Sequence, residues 1–169
     1  MAIEIRSLRK TDYLELRKMV HALYEEDPST KPITDKKIWQ TVSELRKNPN
    51  KGKIVVFAKE NLIIGYSILI FYWSNEYGGE VLHIDELYVK PEHRGHGVST
   101  KFFQDLLRSE HGAVAFQLEV TLANKKALNY YKRLGFKKTK NLHLIRTNDP
   151  LNSHVNRRSS SVNLSVPKT

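Results

Sequence analysis

Residues 82–102 read LHIDELYVKPEHRGHGVSTKF, and the fold turns on how this stretch divides. Leu82 to Val89 is an apolar-rich run of strand length, and Pro91 stops it. Arg94-Gly95-His96-Gly97-Val98-Ser99 follows, and from Val98 to Arg108 the apolar residues recur at helical spacing. A strand, a glycine turn and a helix start make an element suited to phosphate. Glycines let the backbone approach an anion, the first N–H groups of the helix have no intrahelical partner, and the helix dipole adds to the attraction. The element is expected to hold a phosphorylated ligand, although a plain glycine turn opening a helix reads the same way.

The segment resembles the acyl-CoA-binding motif of the GNAT superfamily of N-acetyltransferases, which runs Gln or Arg, two residues, Gly, one residue, then Gly or Ala. Here Arg94, Gly95-His96, Gly97, Val98 and Ser99 fill it. Ser99 departs at the last position but is small enough to keep the close approach. A second segment, Asn124-Lys-Lys-Ala127-Leu-Asn-Tyr130-Tyr131-Lys-Arg-Leu-Gly135-Phe136, is similar to the family's second motif of Asn-x-x-Ala, Tyr and Gly-Phe. It follows the first at the distance the family uses, and the resemblance covers residues 3 to 147, the first third in pattern alone. It implies an α/β (α+β) acyl-CoA N-acyltransferase fold: a mixed sheet flanked by helices, with two central strands splayed to admit the pantetheine arm of acetyl-CoA.

Composition sets the bounds. The chain has 169 residues, 40% hydrophobic and 27% charged, enough for one domain with a core. Residues 1–148 are expected to form that domain, with 149–169 a polar, serine-rich, disordered tail. No cysteine is present, which removes disulfides, thiolate catalysis and cysteine-bound metal. The histidines lack metal-ligand spacing, so no metal is expected. MAIEIRSLRK has no apolar signal core, and Leu62–Trp73 is too short and interrupted to span a bilayer. A cytoplasmic protein without membrane partners is the expectation. The net charge of +10 suits an anionic partner such as CoA. Its basic residues are dispersed and no nucleic-acid-binding module is visible, so no nucleic acid is expected.

Along the chain, residues 2–7, 53–59, 62–72, 80–89 and 115–120 read as strands. Helices are expected after a Thr11-Asp12 cap, after Thr34-Asp35, over Val98–Arg108 and over Asn124–Leu134. Glu60-Asn61 makes a hairpin turn, Gly65 marks a bulge or close packing, and Trp73–Gly79 is a loop. Phe136–Lys138 and Leu142–Arg146 read as closing strands. The strand at 80–89, the helix at 98–108 and the strand at 115–120 form a parallel crossover.

Acetyl transfer requires a held thioester, a deprotonated amine and protonation of the leaving thiolate. The resemblance implies that backbone groups of Leu87 and Val89 pair with the pantetheine amides. Pyrophosphate is expected at the motif Arg94–Ser99, on N–H groups of Gly95, Gly97, Val98, Ser99 and Thr100, with His96 inside the turn. Tyr131 matches the family's tyrosine near the sulfur, and a phenol can protonate a thiolate. Tyr130 is its neighbour, turned by about 100°, so only one of the two is expected to face the site. Asn124 either bonds the cofactor or caps its helix.

Asp85 and Glu86 are mid-strand carboxylates, costly there unless used or paired. They look like the acidic pair of polyamine-type acetyltransferases in the family. Strand alternation places Glu86 with Ile84 and Tyr88, and Asp85 with His83, Leu87 and Val89, without showing which face is active. Glu86 is the favoured base. Trp73, Glu76 and Tyr77 lie in a loop that suits a cation.

The leading expectation is direct transfer of acetyl from acetyl-CoA to a primary amine of a small, polyamine- or diamine-like cation. A protein or peptide N-acetyltransferase and a non-catalytic acyl-CoA-binding module are the alternatives, and a homodimer is compatible with each.

Overall fold

A computed structural model describes residues 3–28, 31–110 and 112–147. Five strands form one sheet in sequence order: β1 (Glu4–Ser7), β2 (Gly52–Lys59), β3 (Leu62–Ser74), β4 (Gly79–Val89) and β5 (Ala113–Leu118). Neighbours are antiparallel except β4 and β5, which are parallel and joined through a helix, as the crossover reading requires. The expected tail lies outside the described residues.

Alternation along the strands builds two apolar layers. Val56, Tyr66 and Ile68 face one side, where α1 (Tyr13–Glu26) contributes Leu16, Met19 and Val20, and α2 (Asp35–Lys47) contributes Ile38 and Leu45. Phe57, Leu69, Leu82 and Ile84 face the other, against Phe102, Phe103 and Leu106 of α3 (Val98–Ser109) and Tyr130 and Tyr131 of α4 (Lys125–Arg133).

The two helix starts read as caps differ. Thr34 does cap α2, its Oγ1 accepting the Lys37 N–H at 3.3 Å. Asp12 does not cap α1 with its side chain: residues 10–12 form a 3₁₀ turn, whose N-cap residue Arg9 donates its N–H to Asp12 in a capping box, and α1 starts at Tyr13. Its buried carboxylate accepts the Arg6 guanidinium at 2.6 and 3.1 Å and the Arg9 N–H at 2.8 Å. A two-point, charge-assisted contact outcompetes a neutral cap.

Glu60 and Asn61 both adopt positive φ, 52° and 65°, the pair of left-handed residues that a two-residue hairpin needs. Next to this turn β3 bulges: Phe57 pairs with Gly65 but Ala58 with Ile63. A Cβ on Gly65 would lie 2.5 Å from the Tyr88 carbonyl oxygen and 2.6 Å from the Phe57 ring, so both sequence readings of this glycine hold.

Three expectations change. Trp73 and Ser74 belong to β3, and only a tight turn separates it from β4. A bulge at Asp85 resets the parity of β4, since Ile68 pairs with Glu86 and Leu69 with Ile84. Ile84 therefore lies on the α3 face with Leu87 and Val89, while Glu86 lies with Tyr88 on the α1–α2 face. Finally, residues 136–147 contain no strand. Leu142, Leu144 and Ile145 are 89%, 93% and 89% exposed; an apolar pattern with no ladder to complete it does not make a strand. The chain divides into a unit ending at Phe136 and a segment from Lys137 onward.

Candidate active site

The β4–β5 ladder runs from Glu80–Ala113 to Ile84–Leu118 and stops there. Asp85 to Val89 continue β4 beyond it, paired to β3 alone. Lys90 N–H donates to the Ile64 carbonyl at 2.9 Å, and antiparallel alternation then turns the main-chain groups of Leu87 and Val89 away from β3. They face the side on which β5 has departed, and the Val89 carbonyl accepts Arg94 Nε at 2.7 Å. The bulge at Asp85 coincides with the end of the ladder, so one irregularity both opens the sheet and re-aims the two carboxylates.

The open half of β4 leads to the glycine turn. Gly95 and Gly97 have φ of 81° and 80°, which an L side chain resists, while a Cβ at either would meet nothing within 4 Å. Backbone conformation, not crowding, calls for glycine there. Gly97 is the residue before α3; no side chain caps the helix and no acidic residue occupies its first turn. The first bond of the helix is Lys101 N–H to the Gly97 carbonyl, which leaves the N–H groups of Val98, Ser99 and Thr100 pointing outward. Arg94 is engaged in structure: besides Val89 it holds Glu26 of α1 at 2.7 and 2.8 Å, and its guanidinium lies 5.3 Å from the Tyr88 ring centre. His96 shares a surface cavity with Ile3, Lys59, Glu92 and His93.

Asn124 caps α4, its Oδ1 accepting the Ala127 N–H at 3.1 Å. Tyr131 packs edge-on against Phe103 and Phe136, each 5.9 Å away by ring centres. Burial, and then the neighbouring Tyr130, raise its phenol above the ordinary value, so it stays protonated at neutral pH. Tyr130 also reaches Phe103, at 6.1 Å, and its hydroxyl lies 3.4 Å from Thr100 Oγ1 at the start of α3. Both rings face α3, because long aromatic side chains span the helical angle expected to part them.

Glu86 and Asp85 are neighbours with different surroundings. Glu86 Oε2 accepts the Tyr66 hydroxyl at 2.7 Å, and Oε1 accepts the Tyr24 hydroxyl at 3.0 Å. Burial raises its carboxyl, and the two phenols pull it down. Beside it, Leu16, Val20, Ile38, Val42 and Ile68 line a partly open cavity of about 20 Å³, room for a single water. Asp85 is half exposed, with His83 Nε2 3.7 Å away. Burial raises it as well, opposed by His83 and assisted by Glu119 at the end of β5.

Trp73, Glu76 and Tyr77 gather elsewhere. They sit at the turn between β3 and β4, with Trp73 73% and Tyr77 55% exposed. Trp73 pairs with Glu80, five residues along β3 from the partner of Glu86, roughly 16 Å at the rise of a strand. The structure does not bring this group to Glu86. The residues that do surround Glu86, Tyr24 and Tyr66, lie 62 and 20 positions away in sequence. Only a tyrosine in the mostly aliphatic run at 62–70 hinted at one of them.

Residues 14–136 match the family described as the acetyltransferase (GNAT) family. Thialysine N-epsilon-acetyltransferase of Mus musculus is 35% identical over 77 residues, 44% of this chain and 45% of that protein. The Sus scrofa protein of the same name is 35% identical over 75 residues, 43% of this chain and 44% of that one. The chain thus spans less than half the length of these relatives. In fold, a possible acetyltransferase from Clostridium difficile 630 superposes with a TM-score of 0.74 at 23% identity, covering 87% of this chain and 99% of that one. The glycine turn, the open strand and the family match over most of the sheet and its helices agree: the chain belongs to the acetyltransferase (GNAT) family.

Proposed function

We propose that the chain is an N-acetyltransferase that moves an acetyl group from acetyl-CoA directly to the primary amine of a small cationic acceptor. The observation that carries this reading is the β4–β5 ladder ending at the Asp85 bulge, from which an open half-strand runs to an uncapped helix start. The family's acyl donor is a thioester with a pyrophosphate, and the residues present fit both parts. Leu87 and Val89 offer an extended backbone edge for amides, and Val98, Ser99 and Thr100 offer N–H groups at the positive end of α3 for phosphate. Acetyl-CoA bound there supplies an activated acyl carbon.

The chain's residues then supply the proton movements. As the amine nitrogen bonds to the acyl carbon it must lose a proton, and Glu86, directly or through one water in its cavity, accepts it. As the carbon–sulfur bond breaks, the Tyr131 hydroxyl gives a proton to the thiolate. Asp85, at the mouth of the gap and near Glu119, adds negative potential that favours a cationic acceptor. The two relatives named for acetylating thialysine support a small amine as the acceptor class. A peptide acceptor is the second reading. It is favoured by the net charge of +10, which repels small cations at long range.

Thiol release from acetyl-CoA, measured across thialysine, diamines, polyamines, aminoglycosides and peptides, tests this. Turnover with the small cationic amines is expected. Efficient acetylation of neutral peptides, with polyamines and thialysine inert, overturns it in favour of the second reading. Gly97→Glu is expected to abolish acetyl-CoA binding by calorimetry, since it puts a side chain and a negative charge at the helix start. Tyr131→Phe is expected to lower kcat roughly 10²- to 10⁴-fold, and Tyr130→Phe to leave it near wild type.

A further inference from the structure

Glu86 has an unusual set of partners. Its two carboxylate oxygens each receive one hydrogen bond, both from neutral phenols, on two different elements: Tyr24 on α1 and Tyr66 on β3. No ion pair joins it to a lysine, arginine or histidine among the described residues. The remaining groups facing it confirm the isolation. Asp85 on β4 repels it, α2 contributes only Thr41, Val42 and Ile38, and the Tyr88 ring packs on Tyr66 at 6.1 Å. Tyr66 itself is fully buried, where a phenylalanine would fill the same space without leaving a hydroxyl to satisfy.

A guanidinium at this place would neutralise the carboxylate and make it a poor proton acceptor. An aliphatic surround alone would keep it protonated. Two neutral donors do neither: they favour the ionised form while leaving its charge uncompensated. We propose that Tyr24 and Tyr66 are positioning residues that hold the Glu86 carboxylate ionised and aimed, and so set the pH above which the enzyme turns over. This rests on Glu86 being the proton acceptor in the reaction proposed above. The donors do not themselves titrate in the working range, since burial and Glu86 push Tyr24 up to about 12 and push Tyr66 higher still.

A hydrogen bond donated to the ionised form lowers a carboxyl's pKa, so removing one raises it. Tyr66→Phe is expected to move the acidic limb of kcat upward by about one to two pH units, with the alkaline plateau kept. Tyr24→Phe should move it less, because Tyr24 is more exposed and its bond is 3.0 Å against 2.7 Å. The experiment pairs this profile, measured with thialysine and acetyl-CoA, with a direct titration of the Glu86 carboxyl carbon by NMR in both variants. A carboxyl and a limb that rise together establish the inference. A carboxyl that titrates as in wild type in both variants overturns it, whatever the activity does. If the carboxyl moves and the limb does not, Glu86 is not the group that titrates in turnover, and the reaction scheme fails instead. A loss of stability with an unchanged profile would assign the hydroxyls a packing role only.

Discussion

Two largely buried carboxylates, Asp12 and Glu86, sit on the same side of the sheet and are handled in opposite ways. Asp12 meets a guanidinium head-on and a backbone N–H besides, so its charge is cancelled where it lies. Glu86 meets only phenols, and no opposite charge is paired with it among the described residues. The pKa directions record the difference: Asp12 is held below its ordinary value, chiefly by Arg6, and Glu86 is raised above its own by burial. A carboxylate that fastens the chain and the one proposed above as the proton acceptor thus differ in the charge of the donors they meet.

The largest effect that can break this contrast is on turnover. Glu86→Gln is expected to lower kcat by roughly 10²- to 10⁴-fold, whereas Asp12→Asn should leave kcat per folded molecule unchanged. Asp85→Asn is expected to act mainly on KM for cationic acceptors. A Glu86→Gln enzyme with wild-type kcat, alongside an Asp85→Asn enzyme that has lost it, would exchange the two roles.

Stability should run the other way. Removing the Asp12 charge leaves Arg6, itself mostly buried, unpaired, and is expected to cost about 3 kcal/mol in denaturant unfolding at pH 7. Glu86→Gln is expected to raise the melting temperature, because an uncompensated buried charge is removed and both hydroxyls still find partners. The pH dependence has opposite signs. For Asp12, lowered from 3.8, the contribution is complete above its unfolded value and is lost as pH falls through the folded one. For Glu86, raised from 4.5, the stabilising part is complete below the unfolded value and is lost as pH rises through the folded one. Each variant should therefore approach wild-type stability in acid, Asp12→Asn from below and Glu86→Gln from above. Melting curves from pH 3 to 8 that shift in parallel for both would remove the contrast.

How much of this was legible in the sequence follows the range of the interactions. The glycine turn and α3 could be read because Gly95 and Gly97 are required by local backbone angles, and the helix start needs only its own N–H groups. Two of the four strand pairings, β2 with β3 and β4 with β5, could be read as a hairpin and a crossover. The surroundings of Glu86 could not be read, since Tyr24 and Tyr66 reach it only after α1 and β3 are packed. The parity of β4 misled for a related reason. Its bulge at Asp85 belongs to a ladder with β3, and one inserted residue sends every later side chain to the other face. Asp12 looked like a cap because Arg6, across a turn, was invisible to a reading of helix signals.

The smallest expected effect concerns the other end of the hairpin, where aromatic residues and Glu76 suggested a cation pocket. Trp73 and Tyr77 are largely in solvent, and the register sets Trp73 roughly 16 Å from Glu86 along the sheet. A short diamine holding its reacting nitrogen at the bulge does not span that distance. Exposed substitutions away from buried contacts change free energies little, so Trp73→Ala and Glu76→Gln should alter KM for thialysine and for short diamines within about two-fold. The comparison sharpens with acceptor length. If a long polyamine alone shows a tenfold higher KM in Glu76→Gln, the acceptor runs from the bulge to the turn, and Glu76 then meets its far ammonium. If even the shortest amine is affected, the reacting nitrogen does not sit at Glu86, and the distinction between the two buried carboxylates loses its chemical meaning.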